Sequence, residues 1–275
     1  MNKIALITGA NTGIGFETAK GLLAQGFDII MVCRSAGKGE PAKKKLLFKF
    51  PERKVDFYRC DLANFDHVRK TIELIKGKFD HLDVLVNNAG YVTEKVEITK
   101  EGHEKTFQTC HLGHFLLTMG LIDLLKKSEQ GRIINVSSMA YKMGKFERLL
   151  KPSKKYNKWQ VYGDAKLANI IFTIGLAEKL QGTDIEAYSL HPGVVKSGFG
   201  HNLKGFTRGL ISLFSPFMIS LEKGAETSIF LATSPKAKGK SGQYFVKSVP
   251  EQLNGKETTI ENAQLLWTKS KEWTD

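Results

Sequence analysis

Three glycines closely spaced behind a short apolar run are the first residues whose types and spacing could do chemistry. Thr8-Gly9-Ala10-Asn11-Thr12-Gly13-Ile14-Gly15 ends the run Ile4–Thr8 and opens an amphipathic helical pattern. Glycines let the chain turn tightly and approach a pyrophosphate, while the main-chain N–H groups at a helix start, here Gly9, Asn11, Thr12, Gly13, Ile14 and Gly15, hold the anion. A turn that serves only the backbone is the plain alternative, but position after a first strand and before a helix is the context a dinucleotide site needs. The second apolar run ends Val32-Cys33-Arg34-Ser35. An acidic residue there would accept hydrogen bonds from a ribose diol; a guanidinium instead matches a 2′-phosphate in charge and forked geometry. Arg34, with Ser35 as helper, therefore points to NADP, against the alternative of a surface arginine on a basic chain.

The elements that position these residues alternate along the chain. Strands are expected at Ile4–Thr8, Ile29–Cys33, Val55–Tyr58, Leu82–Val86, Arg132–Val136, Ile185–Leu190 and Gln243–Val246, and helices near 14–25, 40–49, 64–77, 101–127, 159–180, 222–233 and 258–270. Most strand runs are continuously apolar, as in a parallel sheet covered on both faces. The pattern predicts an α/β fold, a single-domain Rossmann-type doubly wound parallel sheet with helices on both faces, spanning 1–275. Two irregular segments, 139–158 and 196–221, follow strand ends, where such sheets bind ligands.

With 275 residues and 41% hydrophobic residues the chain can bury a sizeable core. Three scattered cysteines, Cys33, Cys60 and Cys110, suggest neither a disulfide framework nor a zinc site, so no metal is expected and a reducing, cytoplasmic setting is. The longest apolar stretch, 209–221, falls short of the about 20 residues a membrane span needs. The net charge of +13 is dispersed apart from a concentration over Lys142–Lys158, and no motif organises base contacts, so no nucleic-acid partner is expected.

The ordered motifs resemble the short-chain dehydrogenase/reductase family over nearly the whole chain. TGANTGIG is similar to the family's TGxxxGxG, and Asn87-Asn88-Ala89-Gly90 to its NNAG. The resemblance implies that Asp61 and Leu62 lie against the adenine, that Asn88, Ala89 and Gly90 line the cofactor, and that Ser138, Tyr162 and Lys166 are catalytic. Tyr162 and Lys166 would also hold the nicotinamide ribose side. Pro192-Gly193, Val195 and Ser197 resemble the segment beside the nicotinamide. VCRS, HLGHFLLT, INVSS, AKLAN, HPGVV and SPF, with 24 positions between Ser138 and Tyr162, are most similar to the retinol dehydrogenase group and its WW-domain-containing relative.

Those residue types suit hydride transfer to a carbonyl. The oxygen gains negative charge and must be held and protonated. A tyrosine hydroxyl can donate the proton, although its ordinary pKa of about 10 is high for neutral pH. An ammonium at i+4, Lys166, lies on the same helix face and would lower it. Ser138 would supply a second hydrogen bond to that oxygen.

One residue departs from the family. Cys110 stands where the resemblance implies an Asn whose main-chain carbonyl helps hold a water near the lysine; the cysteine keeps the carbonyl and loses the amide that steadies the local helix distortion. Reduced activity is expected. A catalytically weak NADP-binding, redox-responsive partner protein is the alternative function. His111 and His114 are expected to pack, rather than relay protons or bind metal, and His191 to be structural.

The apolar 196–221 segment (Phe199, Phe206, Leu210, Phe214 and Phe217 among others) is expected to act as a lid over a hydrophobic carbonyl or alcohol substrate: a retinoid, steroid, lipid aldehyde or xenobiotic. Shallow membrane contact of the same segment is a second reading, and ordinary packing a third. The resemblance also implies a homodimer through helices 101–127 and 159–180, which the insertion before Tyr162 would obstruct.

Overall fold

Each continuously apolar run becomes a strand covered on both faces. The computed structural model describes residues 2–151, 155–195, 218–253 and 255–275. Its strands are β1 Ile4–Thr8, β2 Asp28–Cys33, β3 Val55–Arg59, β4 Val84–Asn87, β5 Gly131–Val136, β6 Ile185–His191, β7 Tyr244–Val246 and β8 Val249–Glu251. They form one sheet in the order β3-β2-β1-β4-β5-β6-β7-β8, parallel except for the last pair. The order reverses between β1 and β4, which opens a crevice beyond their carboxyl ends.

Helices α1 (Gly13–Ala24), α2 (Ala36–Lys49), α3 (Phe65–Lys76), α4 (Lys105–Phe107), α5 (Gly113–Leu125), α6 (Phe146–Leu150), α7 (Lys158–Lys179), α8 (Leu221–Thr233) and α9 (Ile260–Thr274) surround it. Alternation along β1 divides the core. Ala5 and Ile7 pack with α1, α2 and α8, through Leu22, Leu46 and Leu231. Leu6 points the other way, into Val68, Leu121 and Phe172 of α3, α5 and α7. Full burial of each such aliphatic side chain contributes about 1.5–3 kcal/mol, so a one-residue slip of β1 would exchange its two faces. A third apolar cluster joins Phe146 and Leu149 of α6 to Leu167 and Ile171 of α7 and Leu266 of α9.

Three expectations change. The helix expected over 101–127 is interrupted. Ile98 bridges Glu104, and a π turn runs from Gln108 to Leu112 before α5 starts at Gly113. Gly113 N–H reaches back five residues to the Gln108 carbonyl. A Cβ on Gly113 would lie 2.4 Å from the Leu62 carbonyl, so a larger residue could not bring α5 this close to the β3–α3 loop. Secondly, α2 begins at Ala36, ahead of Pro41, on the Ser35 carbonyl. Its Gly39 lies where a Cβ would be 2.3 Å from the Phe57 ring, so glycine admits close packing on β3. Thirdly, β8 had no sequence signal: it has three exposed residues with a central proline. Its turn, Lys247-Ser248, adopts positive φ at both positions (51° and 63°) without the Gly or Asn that normally marks it.

The 139–158 insertion folds into a 3₁₀ turn, Met139–Met143, and α6. Of the apolar residues on the expected pairing helix, Leu167, Ile170 and Ile171 are buried within the chain, and Ile174 is half-buried against the α6–α7–α9 cluster. Ser197 and positions 196–217 of the expected lid lie outside the described residues. Among the described residues no helix is long and apolar enough to cross a membrane, and no cluster of three or more His, Cys, Asp or Glu side chains could hold a metal.

Candidate active site

The carboxyl ends of β1 and β4 meet at the crevice, and their side chains lock the glycine turn in place. Thr8 ends β1; its Oγ accepts the N–H groups of Asn88 and Ala89, each at 2.9 Å. The Asn88 amide donates to the Thr8 carbonyl at 2.8 Å. Gly9 and Gly13 have φ of +67° and +61°, which side chains rarely adopt. A Cβ on Gly15 would lie 2.5 Å from Asn88 Nδ2 and 2.6 Å from the Gly9 carbonyl, so this glycine seats α1 against the turn. A Cβ on Gly13 would meet nothing within 4 Å, so that side of the turn opens outward. Thr12 caps α1 from an extended conformation without a side-chain hydrogen bond, leaving the first-turn N–H groups to an anion. Ile14 lies under α8, near Gly224. The Cys33 thiol, pushed up to about 11 by burial, accepts main-chain hydrogen bonds from Asn11 and Ala10 and ties β2 to the same turn.

Arg34 stands exposed at the tip of β2, its guanidinium 5.1 Å from the centroid of the Tyr91 ring. Lys105 approaches the same ring at 5.7 Å and pairs with Glu97 at 2.7 Å. Among the described residues no carboxylate ion-pairs with Arg34, which leaves its fork unengaged by an acid. Ser35 accepts the Gly39 N–H through its carbonyl at the start of α2, and its hydroxyl makes no cap. Asp61 accepts the Ala63 N–H at 3.0 Å, which shapes the loop after β3, with Leu62 buried beneath α5.

Ser138 follows β5 in an extended conformation, and its Oγ accepts the Ala140 N–H at 3.2 Å. His191, at the end of neighbouring β6, accepts the Met139 N–H through Nδ1 at 3.3 Å and so braces the serine loop, the structural role expected for it. Tyr162, near the start of α7, hydrogen-bonds Ser138 through its hydroxyl. Lys166 is 2% exposed; its ammonium donates to the Val136 carbonyl at 2.9 Å and lies 5.6 Å from the Tyr162 ring centroid. Below it the Ser137 hydroxyl donates to the Lys166 carbonyl at 2.7 Å. A buried ladder extends from β4 to α7: Asn87 donates to Thr118 and Asn135, and Asn135 to Thr173, each at 2.9 Å.

One electrostatic expectation fails. Burial holds the Tyr162 phenol above its ordinary value, the neighbouring Cys110 adds to that rise, and the bond from Ser138 opposes it. Burial also lowers the Lys166 ammonium. Desolvation is the largest influence on both groups.

Cys110 sits at the centre of the π turn, wholly buried, its Sγ donating to the Tyr91 carbonyl at 3.6 Å. Burial pushes the thiol up, and Lys166 opposes that. The helix distortion thus forms without the amide. His111 packs among Phe107, Phe115 and Phe172, as expected, and reaches Ser270 Oγ at 2.9 Å. His114 does more than pack: its Nε2 lies 2.8 Å from Thr8 Oγ and its Nδ1 3.0 Å from the Cys110 carbonyl. Sequence reasoning missed it and Thr8; the i, i+4 spacing from Cys110 was the available signal. Beyond β6, Gly193 turns at φ +89° with its α-carbon facing Ile219, and Val195 bridges Ile219. This folds Pro192–Val195 toward Ile14 and α8.

The glycine turn, the Asn88–Gly90 segment and the Ser138–Tyr162–Lys166 group therefore share the crevice end of the sheet. The chain matches the family model described as short chain dehydrogenase over residues 3–206. It is 38% identical to retinol dehydrogenase 12 of Mus musculus over 98% of this chain and 85% of that protein. Identity to the WW domain-containing oxidoreductase of Danio rerio is 34%, over 89% of this chain and 61% of that one. A crystal structure of an uncharacterized protein from Mycobacterium paratuberculosis superposes with a TM-score of 0.79 at 28% identity, covering 99% of this chain and 93% of the other.

Proposed function

The chain belongs to the short-chain dehydrogenase/reductase family of oxidoreductases, and from that premise we propose that it transfers hydride between NADP(H) and a hydrophobic carbonyl compound or its alcohol. The observation that carries the reading is the hydrogen bond between Tyr162 and Ser138, with the buried Lys166 ammonium beside the same ring. When bound, the nicotinamide supplies the hydride. Gly9, Asn11, Thr12, Gly13, Ile14 and Gly15 would hold its pyrophosphate, and Asp61 and Leu62 its adenine. Asn88, Ala89, Gly90, Pro192, Gly193, Val195 and Ser197 would line the rest, with Tyr162 and Lys166 on the ribose. The open side of Gly13 and the uncapped start of α1 fit a bound anion.

Arg34 supports NADP over NAD. Its guanidinium is exposed and unpaired by acid at the position where a 2′-phosphate would lie, and Ser35 stands next to it. In the reaction, Ser138 and Tyr162 hold the substrate oxygen, and Tyr162 gives it a proton as charge develops. Lys166, buried and anchored on the Val136 carbonyl, fixes the ribose side and stabilises the phenolate left behind. Cys110 contributes its main-chain carbonyl.

An apolar substrate is supported by Met139, Met143 and Val194, all half-exposed beside Ser138 and Gly193, and by the composition of 196–221. The names of the relatives suggest a retinoid or a similarly long apolar aldehyde. The test is a panel of apolar and polar aldehydes and ketones with NADPH and NADH, read by nicotinamide absorbance. Preference for NADPH and for the apolar members is expected; turnover only with NADH, or only of polar sugars, overturns the proposal.

A further inference from the structure

His114 occupies a position in which every heteroatom has one assigned role. Thr8 Oγ receives two N–H donors, from Asn88 and Ala89, so its own proton must leave toward an acceptor. His114 Nε2 at 2.8 Å is nearer than the Val86 carbonyl at 3.4 Å. At the other side of the ring, Nδ1 faces the Cys110 carbonyl at 3.0 Å, and a carbonyl only accepts. The imidazole is therefore neutral, with its proton on Nδ1 and its lone pair on Nε2. At 1% exposure the ring is shielded from bulk solvent. The chain of donors runs one way, from Thr8 through His114 to Cys110.

Its two ends belong to different parts of the crevice. Thr8 is the last residue of β1 and immediately precedes Gly9 of the anion-binding turn. Cys110 is the centre of the π turn and interacts electrostatically with Lys166. A single imidazole, itself within reach of the Lys166 charge, thus spans from the glycine turn to the Cys110 carbonyl.

We propose that His114 is a positioning residue for hydride transfer: through Thr8 it sets the glycine turn, and through Nδ1–H it fixes the Cys110 carbonyl at the centre of the π turn, whose thiol feels the charge of Lys166. The inference rests on the function proposed above, but its geometry can be read without turnover. Two variants separate the halves of the ring. In His114→Asn the amide nitrogen falls near the Nδ1 position and keeps a donor for Cys110, while Thr8 loses its acceptor. In His114→Gln the amide oxygen reaches the Nε2 position and keeps the acceptor for Thr8, while Cys110 loses its donor.

The expected result is a split. His114→Asn raises the KM and Kd for NADPH about tenfold and leaves kcat within about twofold; His114→Gln lowers kcat about tenfold and leaves the NADPH constants unchanged. Equal effects of both variants on both parameters, or no effect of either, overturn the proposal. Nitrogen NMR of the imidazole in the unmodified protein provides the reading that depends on neither activity nor variant stability. A neutral ring protonated at Nδ1 is expected, and one protonated at Nε2 overturns it. Absence of carbonyl reduction by the unmodified protein would defeat the functional reading, while the NMR result would still decide the hydrogen-bond chain.

Discussion

Arg148 grips the Asp164 carboxylate in a fork, Nε to Oδ2 at 2.9 Å and Nη2 to Oδ1 at 2.7 Å. The same carboxylate accepts the Lys145 N–H at 2.8 Å. Asp164 lies in α7 two residues after Tyr162, and Arg148 lies in α6, so the pair fastens the insertion to the helix that carries the tyrosine. Burial raises the Asp164 carboxyl, with the hydrogen bond from Arg148 opposing it, so the ionised form depends on its partner.

Arg148→Met should therefore destabilise by about 3 kcal/mol, because it leaves a largely buried carboxylate uncompensated. The melting temperature should fall by several degrees, and adding Asp164→Asn should recover part of the loss. A single variant that melts like the parent would show that the fork contributes nothing.

Arg34→Asp should reverse cofactor preference. A carboxylate repels a 2′-phosphate and accepts hydrogen bonds from a ribose diol. The ratio of kcat/KM for NADPH over NADH should drop by about a hundredfold or more, equivalent to ~2.7 kcal/mol. An unchanged ratio would mean that the guanidinium over Tyr91 does not read the phosphate.

Acid should unfold the protein through its buried histidines. Burial drives His111 down to about 3 and His114 to about 4 from an ordinary 6.5, and His191 falls as well. The folded values of His111 and His114 lie below the unfolded one, so the unfolded chain binds more protons between them. The stability supplied by the neutral rings is full above 6.5 and is lost as pH falls through about 4 for His114 and about 3 for His111. Melting temperature should decline by several degrees from about pH 7.5 to about pH 5. A flat profile over that range would contradict the burial of these rings.

Much of this was legible in the residues. Continuous apolar runs marked most of the seven expected strands because strands covered on both faces need no alternation, and the glycine turn announced its own position at the end of β1. The break in the 101–127 helix was not legible in composition, since Gln108–Leu112 reads as ordinary helix; only the resemblance implied a distortion at Cys110. Its far end brings Gly113 against Leu62, a contact close in space and distant in sequence. β8 was missed because Lys247 and Ser248 take positive φ without the usual residues, and the Ser248 N–H instead finds Thr227 Oγ at 3.1 Å. At the site, the resemblance singled out Ser138, Tyr162 and Lys166, and the structure brings the three together. The role of His114 could not be read, because its partner Thr8 is 106 positions away. The direction of the Tyr162 shift was also beyond the residues, since the proximity of Lys166 suggested lowering, whereas burial first and Cys110 second raise it.

The central claim is that Tyr162 protonates the substrate oxygen from its bond with Ser138, and Tyr162→Phe tests it most directly. The substitution removes one hydroxyl and keeps the ring beside Lys166. Reduction of an apolar aldehyde by NADPH should be measured for both proteins alongside NADPH binding. The account predicts a loss of kcat on the order of a thousandfold or more, ~4 kcal/mol, with NADPH affinity nearly unchanged. A variant that turns over at a rate comparable to the parent would contradict it.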